Sequence, residues 1–156
     1  MDNKALVKEL ITVSILHRFH IMTDASQTGL YFGQPMMLEY ILSHPDCTQR
    51  ELAAALNISP ASAATSLGRI EKAGFIARRQ DEADSRKNRL CVTESGKSAL
   101  EAFRAVCDTT DTQLLKDFSE SEQEQLFSFL QRLHENLALN ISHEELRKTL
   151  HSGGKR

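Results

Sequence analysis

Two helix-start signals lie only eleven residues apart in the middle of the chain, and they limit how it can fold more than any other feature. Thr48 and Glu51 form a capping box, in which each side chain pairs with a backbone N–H that the helix leaves free. Ser59 followed by Pro60 is a second start signal, because Pro fits the first turn of a helix. Gly74 suits the left-handed end of that second helix. The sequence therefore predicts two helices joined by a short turn, at about 49–56 and 60–73.

A short hairpin is predicted directly after this helix pair. A first strand begins at Phe75 and leads into Arg78 and Arg79. A polar, charged stretch follows, and residues 89–92 then alternate as a strand does. The central unit is thus helix, short turn, helix, hairpin, and the helix pair has the layout of a helix-turn-helix.

Long helices are predicted on both sides of this unit. The first, at about 4–24, has two apolar stripes, a wider apolar arc than a surface helix needs. It is therefore expected to be buried on two sides, within its own domain or against a second chain. The stripes are Leu6, Leu10, Val13 and His17, and Val7, Ile11, Ile15, Phe19 and Met22.

The remaining segments alternate between helix and loop. Residues 25–33 are small and polar and are predicted as a loop, followed by a helix at 34–43. After the hairpin, helices are predicted at about 94–116 and 119–139. Ser142 and Glu145 suggest a last short helix ending near His151, and residues 152–156 are expected to be disordered. The 119–139 helix is apolar around much of its surface, at Leu126, Phe127, Phe129, Leu130, Leu133 and Leu137.

Composition excludes several classes of protein. The chain has 156 residues, enough for one ordinary domain, with 40% apolar and 26% charged residues. Three widely spaced cysteines do not form a disulfide framework. Neither a membrane span nor a signal peptide is expected, so we expect a cytoplasmic protein that contacts no membrane. No glycine-rich phosphate loop, nucleophile–base motif or metal signature is present, so neither an enzyme nor a cofactor is expected.

Charge is distributed unevenly along the chain. The net formal charge is −2, but residues 50–89 carry eight basic and five acidic residues, a local net charge of +3. Residues 94–135 carry nine acidic and four basic residues, a local net charge of −5. A basic centre in an acidic chain is the pattern of a nucleic-acid-binding module. Solvated faces of mixed charge are the alternative, and charge alone does not decide between them.

The second helix of the pair has one apolar side, formed by Ala63, Leu67 and Ile70 at spacings of four and three residues. With that side inward, the opposite side carries short polar side chains and one arginine. A major groove is wide enough for such a helix, and short side chains let its backbone approach base edges. The outward residues are Ser59, Pro60, Ala61, Ser62, Thr65 and Arg69.

The segments QRELAAALNIS, RIEKAGFIARR and DSRKNRLCVTESG together resemble the winged helix-turn-helix of the MarR family of bacterial transcription regulators. The resemblance covers about a third of the chain and implies a mainly α fold with a small β-hairpin wing and long N- and C-terminal dimerisation helices. The implied division is 1–33 (N-terminal dimerisation helix and loop), 34–98 (DNA-binding lobe), 99–151 (C-terminal dimerisation helices) and 152–156 (tail).

The resemblance also implies roles for wing residues. Arg86 is expected in the minor groove at the wing tip, where a narrow groove concentrates negative potential. Asp84 is expected to hold the wing's shape by pairing with a basic neighbour such as Arg78. Lys87 and Arg89 are expected near phosphates, where they position the protein rather than read sequence.

This sequence departs from the family in its predicted recognition helix, the second helix of the helix-turn-helix. Many relatives carry larger polar or basic residues there, whereas here Pro60, Ala61, Ala64 and Thr65 offer few bidentate base contacts. Ser62 and Thr65 are therefore expected to carry base specificity, with more weight on the wing and on DNA shape. The same departure motivates a rival interpretation from another class, a winged-helix protein-interaction module with little DNA binding.

The resemblance further implies a homodimeric repressor that covers a palindromic site in double-stranded DNA and is released by a small aromatic effector. In the alternative interpretation, the apolar stripes of the terminal helices only cover the protomer's own core. The residues assigned below to an effector site are then ordinary core residues. A crevice between the dimerisation helices and the DNA-binding lobe would be lined by His17, His20, Tyr31, Phe32, Met36 and Met37.

The sequence has candidate residues for two other kinds of sensing, by a bound metal and by a reactive thiol. His17 and His20 stand three residues apart and could share a metal, but no partner ligand has suitable spacing. Some relatives use a reactive cysteine near the first helix, where this chain has none. Cys91 and Cys107 are interpreted as structural. Cys47 lies near a helix start, which favours a thiolate, although an inert loop residue is the commoner case.

Overall fold

The computed structural model describes residues 2–31, 33–81 and 88–138. The described chain is mainly helical, with one two-stranded antiparallel sheet. A single 3₁₀ turn, Ala25–Thr28, follows the first helix. The helices and strands are α1 (Asn3–Asp24), α2 (Gln34–Ser43), α3 (Gln49–Ala55), α4 (Pro60–Lys72), β1 (Ile76–Gln80), β2 (Asn88–Val92), α5 (Glu94–Leu114) and α6 (Glu120–Ala138).

The predicted helix ends of the central unit are confirmed. The Thr48 hydroxyl accepts from the Glu51 N–H at 3.2 Å, and the Glu51 carboxylate accepts from the Thr48 N–H at 2.7 Å. The Ser59 hydroxyl accepts from the Ser62 N–H at 3.0 Å. Gly74 has a φ of +80°, the left-handed conformation that ends α4. Local hydrogen bonding therefore fixes where α3 and α4 start and where α4 stops.

One hydrophobic core holds the central unit together. Its seven largest fully buried side chains come from α2, α3, α4, β2 and α5. Ala63, Leu67 and Ile70 are all buried, which confirms the predicted inward side of α4. The seven residues are Leu38, Ile41, Leu52, Leu67, Ile70, Leu90 and Leu100.

The wing is attached to the start of α3 by backbone hydrogen bonding. Strands β1 and β2 pair antiparallel with Arg79 opposite Arg89. Thr48, the N-cap of α3, forms an isolated bridge with Arg89 on the other edge of β2. The Leu90 N–H also donates to the Cys47 carbonyl at 2.9 Å. The chain entering α3 thus pairs with the free edge of β2 at this one point.

Some boundaries differ from the predicted ones. The 25–33 stretch is not all loop, because the 3₁₀ turn buries Ala25. Strand β1 begins at Ile76 rather than Phe75, whose carbonyl instead accepts the Thr93 N–H at 3.0 Å. Helix α5 ends at Leu114, two residues early. The predicted short helix after Ser142 and the predicted disorder at 152–156 lie outside the described residues.

Polar contacts link α5 to α2 and α1 to α5. The Arg104 guanidinium of α5 donates to the Glu39 carboxylate of α2 at 2.8 and 2.6 Å. His17 Nε2 of α1 lies 2.7 Å from Asp111 Oδ1 of α5. No residue of α1 or α6 is buried, so the protomer's own core does not cover the two stripes of α1. No helix in the described ranges combines the length and apolarity needed to cross a membrane.

Among the glycines of the described residues, Gly96 leaves the least room for a Cβ. A Cβ there would fall well inside contact distance of the Phe75 carbonyl oxygen and 2.8 Å from Val92 Cγ1. We expect Gly96→Ala to lower the free energy of unfolding by about 3 kcal/mol, because backbone atoms cannot move aside cheaply.

Gly68→Ala is the matched control, since nothing lies within 4 Å of the Cβ added there. It should raise the free energy of unfolding by about 1 kcal/mol through helix propensity alone. Urea unfolding at one fixed protomer concentration measures both variants. Equal stability of the two would contradict the close approach at Gly96.

Candidate nucleic-acid interface

The side of α4 that is predicted to contact base edges is exposed to solvent. Each of the six predicted α4 residues is exposed: Ser59, Pro60, Ala61, Ser62, Thr65 and Arg69. Ser66, on the boundary between this surface and the core, is half-buried. The outward side of α4 is therefore accessible and is built mostly from small side chains.

The hydroxyls on this surface already have local partners. The Ser59 hydroxyl donates to the Ser62 hydroxyl at 2.8 Å, and the Thr65 hydroxyl donates to the Ala61 carbonyl at 3.0 Å. A hydroxyl has one hydrogen to donate and two acceptor lone pairs. Thr65 in this conformation can therefore accept a hydrogen bond from a base but has no hydrogen left to give, while the Ser62 hydroxyl can still donate.

Arg78 connects the wing to both helices of the helix-turn-helix. Its Nε donates to Glu71 Oε2 of α4 at 3.0 Å, and its Nη1 donates to Gln49 Oε1 of α3 at 3.2 Å. The prediction that Arg78 supports the wing agrees with these contacts. Asp84, its predicted partner, lies outside the described residues, so that pairing stays a prediction.

Arg89 lies in a different setting from the predicted one. Its guanidinium pairs with the Asp81 carboxylate and donates to the Asp46 carbonyl at 3.0 Å. Hydrogen bonding to Asp81 is the main reason that the pKa of Arg89 is raised. A phosphate contact by Arg89 would have to compete with these bonds. Arg86 and Lys87, at the predicted wing tip, lie outside the described residues.

Three other cations in this region have no ion-pair partner within the described ranges: Arg50, Arg69 and Lys72, all exposed. Arg69 was predicted from its place on α4. Arg50 was counted in the basic segment but missed as a site residue, although it lies in the first turn of α3, two residues after the N-cap. That position was the signal, because the first helix of a helix-turn-helix crosses the DNA backbone.

Comparison with known proteins identifies the family to which this arrangement belongs. The family model described as "MarR family" matches residues 28–87, from the 3₁₀ turn to the wing. The chain is also 34% identical to the HTH-type transcriptional regulator BilQ of Clostridium symbiosum (strain WAL-14163) over 111 residues, 71% of this chain and 77% of BilQ. The chain belongs to the MarR family.

Solved structures agree with this membership. The crystal structure of MarR is 28% identical with a TM-score of 0.64, covering 88% of this chain and 92% of MarR. An S. aureus MepR mutant bound to an oligodeoxyribonucleotide has a TM-score of 0.67 at 24% identity, covering 88% of this chain and 99% of MepR. The predicted resemblance and fold class are confirmed. The MarR family is one of transcription regulators rather than enzymes, as expected from the sequence.

The predicted effector residues are not alike in their surroundings. Met37 is 5% exposed and belongs to the hydrophobic core, so in this structure it is a packing residue rather than the wall of an open crevice. Tyr31 and Met36 are exposed at 69% and 44%. His17 is paired with Asp111, and His20 is exposed and makes an edge contact with Phe19. Phe32 lies outside the described residues.

A shallow depression of about 450 Å³ lies elsewhere, along α1 between Asn3 and Thr12. None of the five predicted effector residues that the structure describes lines it. The effector crevice therefore stays a prediction. Among the described residues, no group of three His, Cys, Asp or Glu side chains is placed to hold a metal ion.

The environments of Cys47 and Cys107 do not favour thiolates. Burial, and then the Glu51 carboxylate, raise the pKa of Cys47, which favours the interpretation as an inert residue over that as a thiolate. Burial, and then the Asp111 carboxylate, also raise the pKa of Cys107. A thiol with a raised pKa is mostly protonated near pH 7 and reacts slowly.

We expect folded Cys47 to alkylate at least about tenfold more slowly at pH 7.5 than the same residue in urea, because it is both buried and protonated. Its labelling should rise only at a pH above that of an ordinary thiol. Iodoacetamide labelling followed by peptide mass spectrometry measures this, with the less buried Cys91 as internal reference. Faster labelling of Cys47 than Cys91 in the folded protein would contradict this environment.

Proposed function

We propose that the protein is a homodimeric repressor that binds a palindromic site in double-stranded DNA. The observation that carries the proposal is the exposed surface of α4 with Arg50, Arg69 and Lys72, which have no ion-pair partner among the described residues, in a chain of the MarR family. The DNA-bound MepR structure, which shares the fold, supports placing this surface against a duplex.

In this proposal α4 enters the major groove and the wing contacts the adjoining minor groove. Ser59, Pro60 and Ala61 bring the start of α4 close to the DNA, while Ser62 and Thr65 contact base edges. Thr65 would act as an acceptor, which suits the amino groups of adenine or cytosine. The unpaired cations bind phosphates and set the register.

The wing completes the proposed contact. Arg86 is assigned to the minor groove and Lys87 to a phosphate, in both cases from the family resemblance. Arg89 is proposed to order the base of the wing through Asp81, and it reaches a phosphate only if that pairing opens. Arg78 and Asp84 remain the proposed structural residues of the wing.

A dimer is proposed because the terminal helices expose large apolar side chains that their own protomer leaves uncovered. On α6, Phe127 is 62% exposed and Leu137 is 78% exposed, and on α1 Phe19 is 62% exposed. Monomeric proteins rarely expose contiguous apolar surface on this scale. Residues 1–33 and 99–151 are therefore proposed to form an isologous interface that holds two 34–98 lobes for half-sites about 34–36 Å apart.

Regulation is proposed to work by ligand-dependent spacing of the two lobes. A small aromatic effector between α1 and the DNA-binding lobe would release DNA only if it binds the two dimer states unequally. His17, His20, Tyr31, Phe32 and Met36 are the proposed contacts. A cytoplasmic location is part of this proposal.

The second candidate function is a protein-interaction module with little DNA binding. The short side chains on the outward side of α4 favour it, since few of them can make bidentate base contacts. Duplex binding at low salt separates the two candidates.

Arg69→Ala should weaken duplex binding about five- to tenfold and reduce the salt slope by about one per protomer, because it removes a phosphate contact. Lys116→Ala is the matched control. It removes the same charge beyond the far end of α5, a helix about 30 Å long.

Fluorescence anisotropy with a labelled duplex measures both variants over a series of salt concentrations. Equal affinity of Arg69→Ala and wild type would argue against α4 as the DNA-contacting helix. No binding by the wild type at low salt would favour the protein-interaction module.

Leu130→Glu combined with Leu133→Glu should convert the dimer to monomers, because both side chains lie on the exposed apolar side of α6. Ser128→Glu adds one such charge on the opposite side of the helix and should leave the dimer intact. Sedimentation velocity measures the mass. A wild-type monomer at micromolar concentration, or an intact dimer in the double variant, would count against this interface.

A further inference from the structure

The wing carries two arginines that face each other across the sheet. Arg79 of β1 and Arg89 of β2 are direct partners in the antiparallel register. Like charges directly opposite on one face of a sheet destabilise it. Two carboxylates offset the repulsion, since Asp81 pairs with Arg89 and Asp46 pairs with Arg79.

The two ion pairs differ in how firmly they are held. The Arg89 and Asp81 side chains are 30% and 10% exposed, and Arg89 makes a further bond to the Asp46 carbonyl. The Arg79 and Asp46 side chains are 67% and 54% exposed and meet at a single 2.7 Å contact between Nη2 and Oδ1. An exposed pair of this kind is worth at most about 1 kcal/mol, so another anion can replace the carboxylate.

The Asp46 carboxylate is not needed to hold the wing in place. Strand β2 is fixed by the Leu90 N–H bond to the Cys47 carbonyl, by the Thr48–Arg89 bridge and by the fully buried Leu90 side chain. The bond from Arg89 to residue 46 uses the backbone carbonyl, which any residue there would supply. Removing the carboxylate therefore changes charge near Arg79 without removing the attachments of the wing.

The backbone at Asp46 also has an unusual conformation. Its φ is +62°, in the left-handed region that Asn and Gly adopt readily. Asn and Gly can therefore replace Asp46 without new strain, and the carboxylate can be tested by itself. Arg79 keeps the hydrogen bond from its Nε to Cys91 Sγ, at 3.1 Å, in either variant.

We propose that Asp46 is an affinity-determining residue, an internal counter-ion that competes with DNA phosphate for Arg79. The inference rests on the proposed function. A phosphate that approaches Arg79 must displace the carboxylate and then lie beside it, so the wing binds any duplex more weakly than its arginines alone would allow. The effect is independent of base sequence, because phosphates are the same in every duplex.

The test uses the full-length dimer, a labelled random-sequence duplex and a second, selected duplex, over a series of salt concentrations. Asp46→Asn should bind both duplexes about three- to tenfold more tightly at low salt, with a salt slope steeper by about 0.9 per wing. Asp46→Gly should behave in the same way. Thermal unfolding should change by no more than a few degrees, which shows that the wing still folds.

Two comparisons separate competition for Arg79 from a general change in charge. Asp117→Asn makes the same charge change at the far end of α5 and should leave the salt slope unaltered. In an Arg79→Ala background, Asp46→Asn should steepen the slope by clearly less than in the wild type, because the group it would release is absent.

Each outcome decides for or against the proposal. The proposal is overturned if Asp46→Asn binds more weakly or leaves the salt slope unchanged. It is also overturned if the gain is equal in the Arg79→Ala background or is confined to one duplex. In all of these cases, duplex binding by the wild type still supports the proposed function. A wild type that binds no duplex even at low salt would overturn the proposed function and this inference with it.

Discussion

The arrangement of the DNA-binding lobe depends on the backbone pairing between β2 and the residues that lead into α3. The hydrogen bond from Leu90 to Cys47 places the wing against the start of the helix-turn-helix, and the Leu90 side chain fills the core below it. A backbone hydrogen bond beside a fully buried side chain allows little relative movement. Helix α4 and strand β2 are consequently held against the same core, although a turn, β1 and a charged stretch separate them in sequence.

Most of this lobe could be predicted from sequence because its determinants are local. The capping box at Thr48, the Ser59–Pro60 start and the left-handed Gly74 each act within a few residues, and the inward side of α4 follows from helical spacing. The Thr48–Arg89 bridge joins residues 41 positions apart, and no local pattern encodes it. The close approach at Gly96 likewise depends on Phe75, which lies 21 residues earlier, so no local pattern encodes it either.

The candidate site was harder to predict than the fold because ion pairing is a property of three-dimensional neighbours. Counting charges gave a basic segment, but Arg78, Arg79 and Arg89 are each paired with a carboxylate. Glu71 lies seven residues before its partner Arg78, whereas Asp46 lies more than thirty residues before Arg79. The Cys47 thiol is a second property that depends on neighbours in space. Its place near a helix start was visible in the sequence, but its burial beside Glu51 was not.

The two halves of the molecule are stabilised in different ways, and this bears on how a regulator of this kind can work. The central lobe buries seven large side chains of its own, whereas α1 and α6 bury none. The contacts between α1 and α5 include an exposed His17–Asp111 pair, and exposed pairs contribute little free energy. The lobe can therefore keep its shape while the terminal helices shift, because their packing depends on what covers them. In the proposed dimer, a ligand that changes this cover would move the lobes as rigid bodies, which alters the distance between the two recognition helices without altering either one.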